Sequence, residues 1–556
     1  MSQPASRPAA VPFRSPDAHG RKLRREVGII GLTFFSLGSI IGSGWLFGSL
    51  YAAQFAGPAA LLSWGIAGVG VIVLALIHAE LGAMYPVAGG TARFPHYAFG
   101  SLVGFSIGWI TWLGAVTVAP IEVEAALQYA TNYVHGLTHS GPDGIPILTG
   151  TGYVVAAGLM LLFTVINIMG VRRLSKTNAA SVWWKVAIPL VAIAALIVTR
   201  FHGSNLSAGG GFMPLGFHGV LTAIAAGGVI FALLGFEQAV QMAGESRNPK
   251  RNVPRAVIAA MLIGVVIYLL LQVAFLGAFA PHDLAHGWSK LNFTGAFGPF
   301  AGLATGLGLG WLATLLYADA FISPAGTGLV YSASSSRLSF ALSRNGYIPT
   351  WFQQLNARGV PWFSILFTFV VGMIIFLPFP GWQQLVTFIS SATVLGYAAA
   401  PLALGALRRE EPDRQRPYRL RAAGLLAPAG FVVATMIVYF AGWTTNWKLF
   451  AAIGMGFIFL ALSYATKANP ERPPLDWRAS AWMWPYFGGL ALLSYLGSFD
   501  GADVIKFPWD LGVVAAFSLA IYWVAMATRL PQARVREYER VLDATEPEEA
   551  ERARAA

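Results

Sequence analysis

The sequence predicts an all-α polytopic membrane protein. Three observations support this: the composition, the recurrence of long apolar runs, and the one-sided placement of basic residues. Of the 556 residues, 56% are hydrophobic and 11% are charged, and the mean hydropathy is +0.60. A soluble domain carries roughly 25% charged residues. Because a single anchor helix would not lower the charged fraction this far, most of the chain is expected to lie in a bilayer.

Several classes of chemistry are excluded or disfavoured. The chain contains no cysteine, which excludes disulfides, thiolate metal sites, iron–sulfur clusters and a cysteine nucleophile. His135 and His139 have a metal-like spacing but lie in a loop beside Gly136 and Pro142, so no metal site is predicted. No Walker-type phosphate loop occurs, which argues against coupling to ATP within this chain. An enzyme is not expected, because no nucleophile–base pair and no large soluble domain is evident.

Apolar runs between polar or Pro/Gly-rich breaks predict about fourteen spans, each near the ~20 residues that a bilayer requires. In chain order the predicted spans cover about 27–53, 58–84, 98–134, 151–171, 177–200, 218–245, 254–280, 298–333, 361–380, 382–407, 424–444, 446–467, 480–498 and 507–528. The third and eighth runs are longer than one span, so each is expected to include an interfacial extension.

Basic residues test this topology. If connections are assigned alternately with the N-terminus inside, the predicted outer side keeps only Arg200, Lys290, Lys448 and Lys506. By the positive-inside rule, both ends are then cytoplasmic, with tails at 1–26 and 529–556. The topology accounts for most of the net charge of +12, so no nucleic-acid partner is predicted.

Span 1 is interrupted near its middle by Gly42, Ser43 and Gly44. Two glycines around a serine favour a hinge over a continuous helix. Unwinding would expose N–H groups at the start of the second half-helix, where they suit a carboxylate. The alternative is a close-packing face, because Gly44 and Gly48 fit the small-xxx-small pattern.

Span 6 repeats this feature, with Gly227, Gly228 and Gly235 near its middle and Glu237 after them. Interrupted spans five apart predict a five-plus-five inverted repeat with a substrate site between the breaks. The predicted domains are the first repeat at 27–200, the second at 218–407 and about four peripheral helices at 424–528.

Ionisable side chains inside spans cost about 2.5–3.5 kcal/mol each on insertion scales and are functional candidates by default. The clear candidates here are Glu80, Glu122, Glu124, Lys185, Glu237 and Asp319. Lys185 is the basic residue placed deepest in a span, and a desolvated lysine releases its proton more readily than one in water. We expect it to load and release a proton as access alternates. The alternative is a static ion pair with Asp319 or Glu122.

Three acidic residues are open to simpler interpretations. Glu80 and Glu245 lie near the predicted cytoplasmic ends of spans, where they are equally consistent with solvated or capping residues. Glu124 lies two residues from Glu122 and cannot share its helix face, so one of the two is expected to be structural.

Together these motifs resemble the amino acid–polyamine–organocation superfamily. The segments that carry the resemblance are the first break and residues 79–82, 86–90, 235–237, 244–254, 336–337 and 343–346. It covers about residues 25–530 and implies the fold of the sodium-coupled leucine transporter, with broken helices 1 and 6. It also implies a secondary active amino acid transporter in the bacterial cytoplasmic (inner) membrane, working by alternating access.

A closer likeness is to the bacterial aspartate–proton symporter group, carried by segments 42–47, 307–315, 319–324 and 494–499. In proton-coupled members a lysine on the fifth helix stands where sodium-coupled relatives bind an ion, and Lys185 matches that position. The proton is then the coupling ion and no other cofactor is expected, with Lys185, Glu122 and Asp319 as the candidate coupling residues.

The resemblance also implies a substrate-binding arrangement. The α-carboxylate would be held by N–H groups around Gly42, Ser43 and Gly44. The α-ammonium would be held by carbonyls near Ile40 and those of Phe231 and Ala232, with Gly235 and Glu237 nearby.

Glu237 is typical of the superfamily but is a departure from the aspartate group. A bare carboxylate facing the pocket would repel an acidic substrate side chain. Either Glu237 is protonated or paired when substrate binds, or the substrate is not acidic. Arg93, just after span 2, is the nearest arginine that could grip a second carboxylate.

The sequence therefore predicts proton-coupled symport of a small-molecule amino acid, aspartate or glutamate in the first instance. A neutral amino acid or polyamine carrier, or an exchanger of the same superfamily, is the alternative. The hypothesis from a different functional class is a membrane-bound enzyme or a non-transporting sensor.

Overall fold

The computed structural model describes residues 27–86, 90–141, 145–169, 174–243, 246–291 and 297–545. The predicted N-terminal tail at 1–26, Glu245, and the end of the predicted C-terminal tail lie outside these residues. The described part of the chain forms twenty α-helices: α1 (Ile29–Ile40), α2 (Gly44–Ala56), α3 (Ala60–Met84), α4 (Gly90–Phe99), α5 (Ser101–Ala130), α6 (Gly150–Met169), α7 (Leu174–Thr199), α8 (Gly216–Ala225), α9 (Val229–Ala232), α10 (Glu237–Gln241), α11 (Pro249–Ala278), α12 (Pro299–Gly306), α13 (Gly310–Arg344), α14 (Trp362–Ile375), α15 (Trp382–Glu410), α16 (Ala423–Phe440), α17 (Trp443–Ala465), α18 (Met483–Leu496), α19 (Trp509–Thr528) and α20 (Gln532–Thr545).

The helical membrane fold is confirmed, and every predicted span coincides with one helix or a group of helices. Within the described residues, nine helical stretches are long and apolar enough to cross a membrane, and three shorter apolar helices are α1, α8 and α14. The total of fourteen spans stays a prediction. A small antiparallel hairpin, β1 (Thr138–Ser140) and β2 (Pro146–Leu148), lies between α5 and α6 and was not predicted.

The eighth predicted span, 298–333, is divided in the structure and ends later than predicted. Its first part is the short helix α12, after which the chain turns at Gly308, whose φ is +74°. Helix α13 then runs past the predicted end at 333 to Arg344. Its later part is rich in serine, but several of these hydroxyls donate to carbonyls of their own helix, as Ser336 does to Ala333 at 2.8 Å. Polar groups satisfied in this way do not end a helix.

Burial separates central from outer helices. In the most apolar window of both α5 and α15, 94% of residues are buried inside the protein, against 33% in α6, α17 and α19. A helix that is apolar all round and covered on all sides belongs to a core. The central pair α5 and α15 therefore forms the scaffold on which the remaining helices pack.

One end of the bundle, called here the terminal face, holds the start of α1, the end of α3, and α20. Arg247 donates its N–H to the Val27 carbonyl at 3.0 Å, and Leu530 donates its N–H to Ala98 at 3.0 Å. The opposite end, the distal face, holds the end of α2, the β-hairpin and the start of α15.

Glu80 forms a buried ion pair at the terminal face and is not the solvated or capping residue considered above. Its side chain is fully buried and accepts two hydrogen bonds from Arg408, from Nε at 2.9 Å and from Nη2 at 2.5 Å. The Leu420 N–H adds a third at 2.7 Å, and Arg416 Nε lies 3.5 Å away. The tie connects α3 to the end of α15 and the segment after it.

Replacing Glu80 by glutamine should destabilise the protein by about 3 kcal/mol, because breaking a buried pair leaves the arginine uncompensated. The midpoint of thermal unfolding in detergent measures the effect. Glu537→Gln is the matched control, since this carboxylate is 41% exposed and pairs with Arg534 on one helix. Equal shifts of the unfolding midpoint in the two variants would show that burial of the Glu80 pair contributes nothing to stability.

The C-terminal helix α20 packs on the terminal face. The Tyr85 hydroxyl donates to Glu539, and Arg536 Nε donates to Glu411 at 3.1 Å. Burial and the nearby Asp476 carboxylate raise the pKa of Tyr538 to about 12. The Tyr538 phenol accordingly keeps its proton and donates a hydrogen bond to Asp476 at 3.0 Å.

Candidate functional site: a cavity between two broken helices

The break predicted in span 1 is confirmed. Helix α1 ends at Ile40 and α2 begins at Gly44. The Ile40 carbonyl, which has lost its helical partner, accepts a hydrogen bond from the Tyr268 hydroxyl at 2.8 Å. An unwound turn inside a membrane requires such partners, because bilayer lipid offers none.

Span 6 is interrupted twice, between α8 and α9 and between α9 and α10. Gly228 has φ +76° and Gly235 has φ +115°. These are conformations that side chains with a Cβ rarely adopt, so the glycines explain where the helix breaks.

The two breaks pack directly against each other. A Cβ added to Gly44 would lie 2.9 Å from the Ala232 Cα, and one added to Gly235 would lie 2.9 Å from the Ile40 nitrogen. Gly48 packs on Trp64 and the Gly228 carbonyl. The hinge and the close-packing interpretations of the first break are therefore both correct.

A cavity with a volume of about 50 Å³ lies beside the breaks. Five of the predicted site residues line it: Ile40, Gly42, Glu122, Phe231 and Glu237. From the breaks it extends along α5, α10 and α13 towards the terminal face, where Thr91 of α4 lines it.

The other predicted site residues lie behind this lining or away from it. Ser43, Gly44, Ala232 and Gly235 belong to the breaks themselves. Arg93 is buried in α4 beside Tyr97 and His96 and is not among the lining residues. Its predicted contact with a substrate carboxylate stays a prediction.

Ser43 uses both of its polar groups. Its N–H donates to the Glu122 carboxylate of α5, at 3.0 Å to Oε2 and 3.3 Å to Oε1. Its hydroxyl oxygen accepts the indole N–H of Trp382 at 3.0 Å. Ser43 and Trp382 are fully buried, and Glu122 is 1% exposed. The break in span 1 is thus held by α5 on one side and α15 on the other.

Lys185 joins three spans. Its ammonium donates to the Gly38 carbonyl of α1 at 3.1 Å and to the Thr327 hydroxyl of α13 at 2.6 Å. The side chain is 3% exposed and borders a small cavity that shares Ser39 and Thr327 with the large one. Among the described residues its ammonium bonds to neutral oxygens and makes no ion pair with Asp319 or Glu122, which argues against the static-pair interpretation.

Asp319 is held by neutral donors. Trp184 of α7 donates its indole N–H to Oδ1 at 2.8 Å, and the Ser323 hydroxyl donates to the same oxygen at 2.5 Å. The side chain is fully buried. Asp319 therefore lies near the Lys185 region without forming part of the cavity wall.

Both carboxylate oxygens of Glu237 accept hydrogen bonds from neutral donors. The Tyr397 hydroxyl donates to Oε2, as does the Gly235 N–H at 3.0 Å, and Gln238 Nε2 donates to Oε1 at 3.2 Å. Three donors satisfy much of this carboxylate's hydrogen-bonding capacity. They also fix the second break of span 6 against α15.

Aromatic rings separate the cavity from the distal face. Trp382 stacks on Tyr51 with ring centroids 5.6 Å apart and lies 4.9 Å from Phe47 and 6.0 Å from Phe231. Tyr129 packs edge-on against Phe47 at 5.2 Å. This cluster, called here the distal lid, lies between the cavity and the distal face.

Glu124 differs from Glu122 as the helix periodicity predicted. It is 2% exposed and lies near Tyr51 and Tyr153, away from the cavity lining. It makes no hydrogen bond with any described residue. Of the two glutamates, Glu122 faces the break and Glu124 does not.

Several lining residues were not predicted. They are neutral polar side chains of α5, α10, α13 and α15: Thr111, Gln238, Gln241, Thr327, Tyr331, Thr393 and Tyr397. A threonine or tyrosine inside a span carries little signal by itself. The position of Gln238 beside Glu237 was the available clue.

Comparison with known proteins gives one family match and several similar transporters. A family model described as "Amino acid permease" matches residues 27–502. The glutamate/serine transporter AimA of Bacillus subtilis is 40% identical over 511 residues, covering 90% of this chain and 93% of that protein. The aspartate-proton symporter of the same organism is 37% identical over 515 residues, covering 92% and 98%. Its branched-chain amino acid permease BcaP is 24% identical over 468 residues, covering 81% and 95%.

Proposed function

The chain belongs to the amino acid permease family, and on this basis we propose that it is a proton-coupled symporter of aspartate or glutamate. The observation that carries the proposal is the position of Lys185. Its ammonium ties α1, just before the substrate-binding break, to α7 and α13. A proton gained or lost there acts directly on the helix that holds the substrate.

The proposed orientation places the terminal face in the cytoplasm of a bacterium, at its inner membrane, as the positive-inside rule expects. The cavity then faces inward, and the distal lid closes the outer side. Rocking of the broken helices against α5 and α15 would open the lid and close the inner path, which is the alternating-access cycle.

The proposed substrate arrangement uses the breaks. The N–H groups around Gly42, Ser43 and Gly44, at the start of α2, suit the α-carboxylate, because a helix N-terminus carries a partial positive charge. Neutral donors such as Gln241, Thr111 and Thr393 line the path towards the terminal face. They are suited to hydrogen-bond an acidic or hydroxylated side chain.

A neutral substrate is the second candidate, and two observations favour it. Glu237 lines the cavity, and among the described residues no arginine or lysine does. One relative is named a glutamate/serine transporter, so a site of this type is compatible with a small neutral side chain.

Uptake by proteoliposomes tests the proposal. Purified protein is reconstituted, and labelled aspartate, glutamate and serine are supplied with an inward proton gradient. Accumulation that a protonophore abolishes is expected. If substrate exchanges across the membrane with no dependence on the gradient, the protein is an exchanger and not a symporter. If substrate binds without any flux, the protein is a sensor.

Glu237→Gln should raise the preference for acidic over neutral amino acids by about tenfold. A negative charge beside the cavity repels an acidic side chain, and a change of 1.4 kcal/mol corresponds to that factor. The ratio of competing uptake rates for labelled glutamate and serine measures the preference. Glu124→Gln serves as the control, because this glutamate is buried outside the cavity. An unchanged ratio in Glu237→Gln would remove Glu237 from substrate selection.

A further inference from the structure

We propose that Glu122 occupies the substrate-carboxylate seat on the Ser43 N–H in the empty transporter, and that a proton taken up by Glu122 vacates this seat for the amino acid. The inference rests on the proposed function and deepens it. Under it, the Glu122 carboxylate and the substrate carboxylate compete for a single backbone N–H, and protonation of Glu122 favours the substrate, which makes Glu122 a coupling residue in addition to Lys185.

The geometry places the Glu122 carboxylate where a substrate carboxylate is expected. Both of its oxygens approach the Ser43 nitrogen, at 3.0 and 3.3 Å. A Cβ added to Gly42 would lie 2.7 Å from Oε1, so the carboxylate rests against bare backbone at the break. Glu122 lines the cavity, so an incoming amino acid meets it directly.

One N–H cannot hold two carboxylates. Two negative charges about 3 Å apart repel each other strongly, and such pairs retain one shared proton. When Glu122 carries a proton, its carboxyl group is neutral and accepts the N–H hydrogen bond more weakly than a carboxylate does. The Ser43 donor, at the positive end of α2, becomes available to the substrate.

The surrounding charges are few. Lys185 of α7 and Asp319 of α13 act on Glu122 through space, and the tyrosine hydroxyls of Tyr268 on α11 and Tyr331 on α13 face it. Ser43 supplies the described hydrogen bonds. Neither the lysine nor the aspartate contacts Glu122 directly in the described residues, so the Ser43 bond is the contact that protonation would break.

The cycle balances one proton per amino acid. A proton from the aqueous side binds a Glu122 oxygen, the carboxyl group leaves the Ser43 N–H, and the substrate carboxylate binds there. After the change of access, the proton leaves to water on the other side. Glu122 regains its charge and its bond to Ser43, and this displaces the substrate.

Binding of labelled glutamate to the purified full-length protein, measured between pH 5 and 9, tests the inference. If one proton enters with each substrate, the apparent affinity should fall about tenfold per pH unit above the titration range of Glu122. Glu122→Gln should bind with an affinity that no longer varies with pH. It should also exchange substrate but lose gradient-driven accumulation.

Glu124→Gln is the matched control, since it changes a buried glutamate of the same helix that does not face Ser43. It should retain the pH dependence of binding. Retained pH dependence in Glu122→Gln, with normal gradient-driven uptake, would overturn the inference while leaving the proposed function intact. Absence of driven uptake in the unaltered protein would instead overturn the proposed function.

A measurement on the unaltered protein gives a test that needs no variant. In weakly buffered detergent solution, adding serine or glutamate should remove about one proton from the medium per bound molecule, as a pH indicator reports. Binding without proton uptake across the whole range would contradict the inference even if Glu122→Gln does not fold.

Discussion

Replacing Lys185 by alanine is expected to reduce proton-driven uptake about a hundredfold. The ammonium donates to Gly38 and Thr327, and hydrogen bonds to charged groups contribute about 1.5–3 kcal/mol each. Losing both removes about 3 kcal/mol or more from the link between α1, α7 and α13, and about 1.4 kcal/mol corresponds to a tenfold change in rate. Initial rates of labelled glutamate uptake in proteoliposomes measure the effect.

Substrate exchange without a gradient should fall far less in Lys185→Ala, because the breaks and the cavity remain. Lys448→Ala is the control, as this lysine of α17 is partly exposed and bonds to the Pro378 carbonyl at 3.2 Å. Driven uptake at the unaltered level in Lys185→Ala would assign Lys185 a purely structural role.

Replacing Gly44 by alanine is expected to weaken substrate binding about a hundredfold. The new methyl carbon would lie 2.9 Å from the Ala232 Cα, 3.0 Å from its Cβ and 3.2 Å from a ring carbon of Phe231. Backbone cannot yield as a flexible side chain does, so the two broken spans must separate. A displacement of about 1 Å at a binding centre can cost a factor of about 10². Binding of labelled glutamate to the purified variant measures it.

Gly65→Ala is the corresponding control within the same bundle. Nothing lies within 4 Å of a Cβ added there, and alanine favours a helix over glycine by about 1 kcal/mol. Binding should be unaffected and stability slightly higher. Normal binding in Gly44→Ala would show that the two breaks do not need their close approach.

The fold was largely predictable from the sequence, because each relevant signal is local. A run of about 20 apolar residues identifies a span without reference to any other part of the chain. The glycines at 42, 44, 228 and 235 marked the breaks for the same reason, since their backbone freedom is a property of the residue. The span that was misjudged, α13, is the one whose polar residues are satisfied within their own helix.

The partners inside the site were not predictable, since they depend on distances between remote residues. Glu80 pairs with Arg408, which is 328 residues away, and no feature of either residue names the other. Trp382 is the first residue of α15, a position where tryptophans commonly lie at the membrane interface. Its hydrogen bond to Ser43 became evident only when α15 was placed beside the first break.

The occupant of the Ser43 N–H is the clearest example of this limit. The sequence indicated a donor suited to a carboxylate, and it indicated that Glu122 and Glu124 face different ways. It did not indicate that the carboxylate beside the donor would be the protein's own. A chemical preference can be inferred locally, whereas what satisfies it is decided by tertiary packing.

The ion pairs of helix α20 determine when the parts of the terminal face can be joined during synthesis. Arg534, Arg536 and Glu539 of α20 connect it to Asp476, Glu411 and Arg414, and Tyr85 completes the set. These partners come from the end of α3, the segment after α15 and the segment between α17 and α18. Because chains emerge from the ribosome with the N-terminus first, all preceding spans are synthesised before these ties can form. Synthesis of α20 is therefore also the step that allows the three parts of the terminal face to be joined.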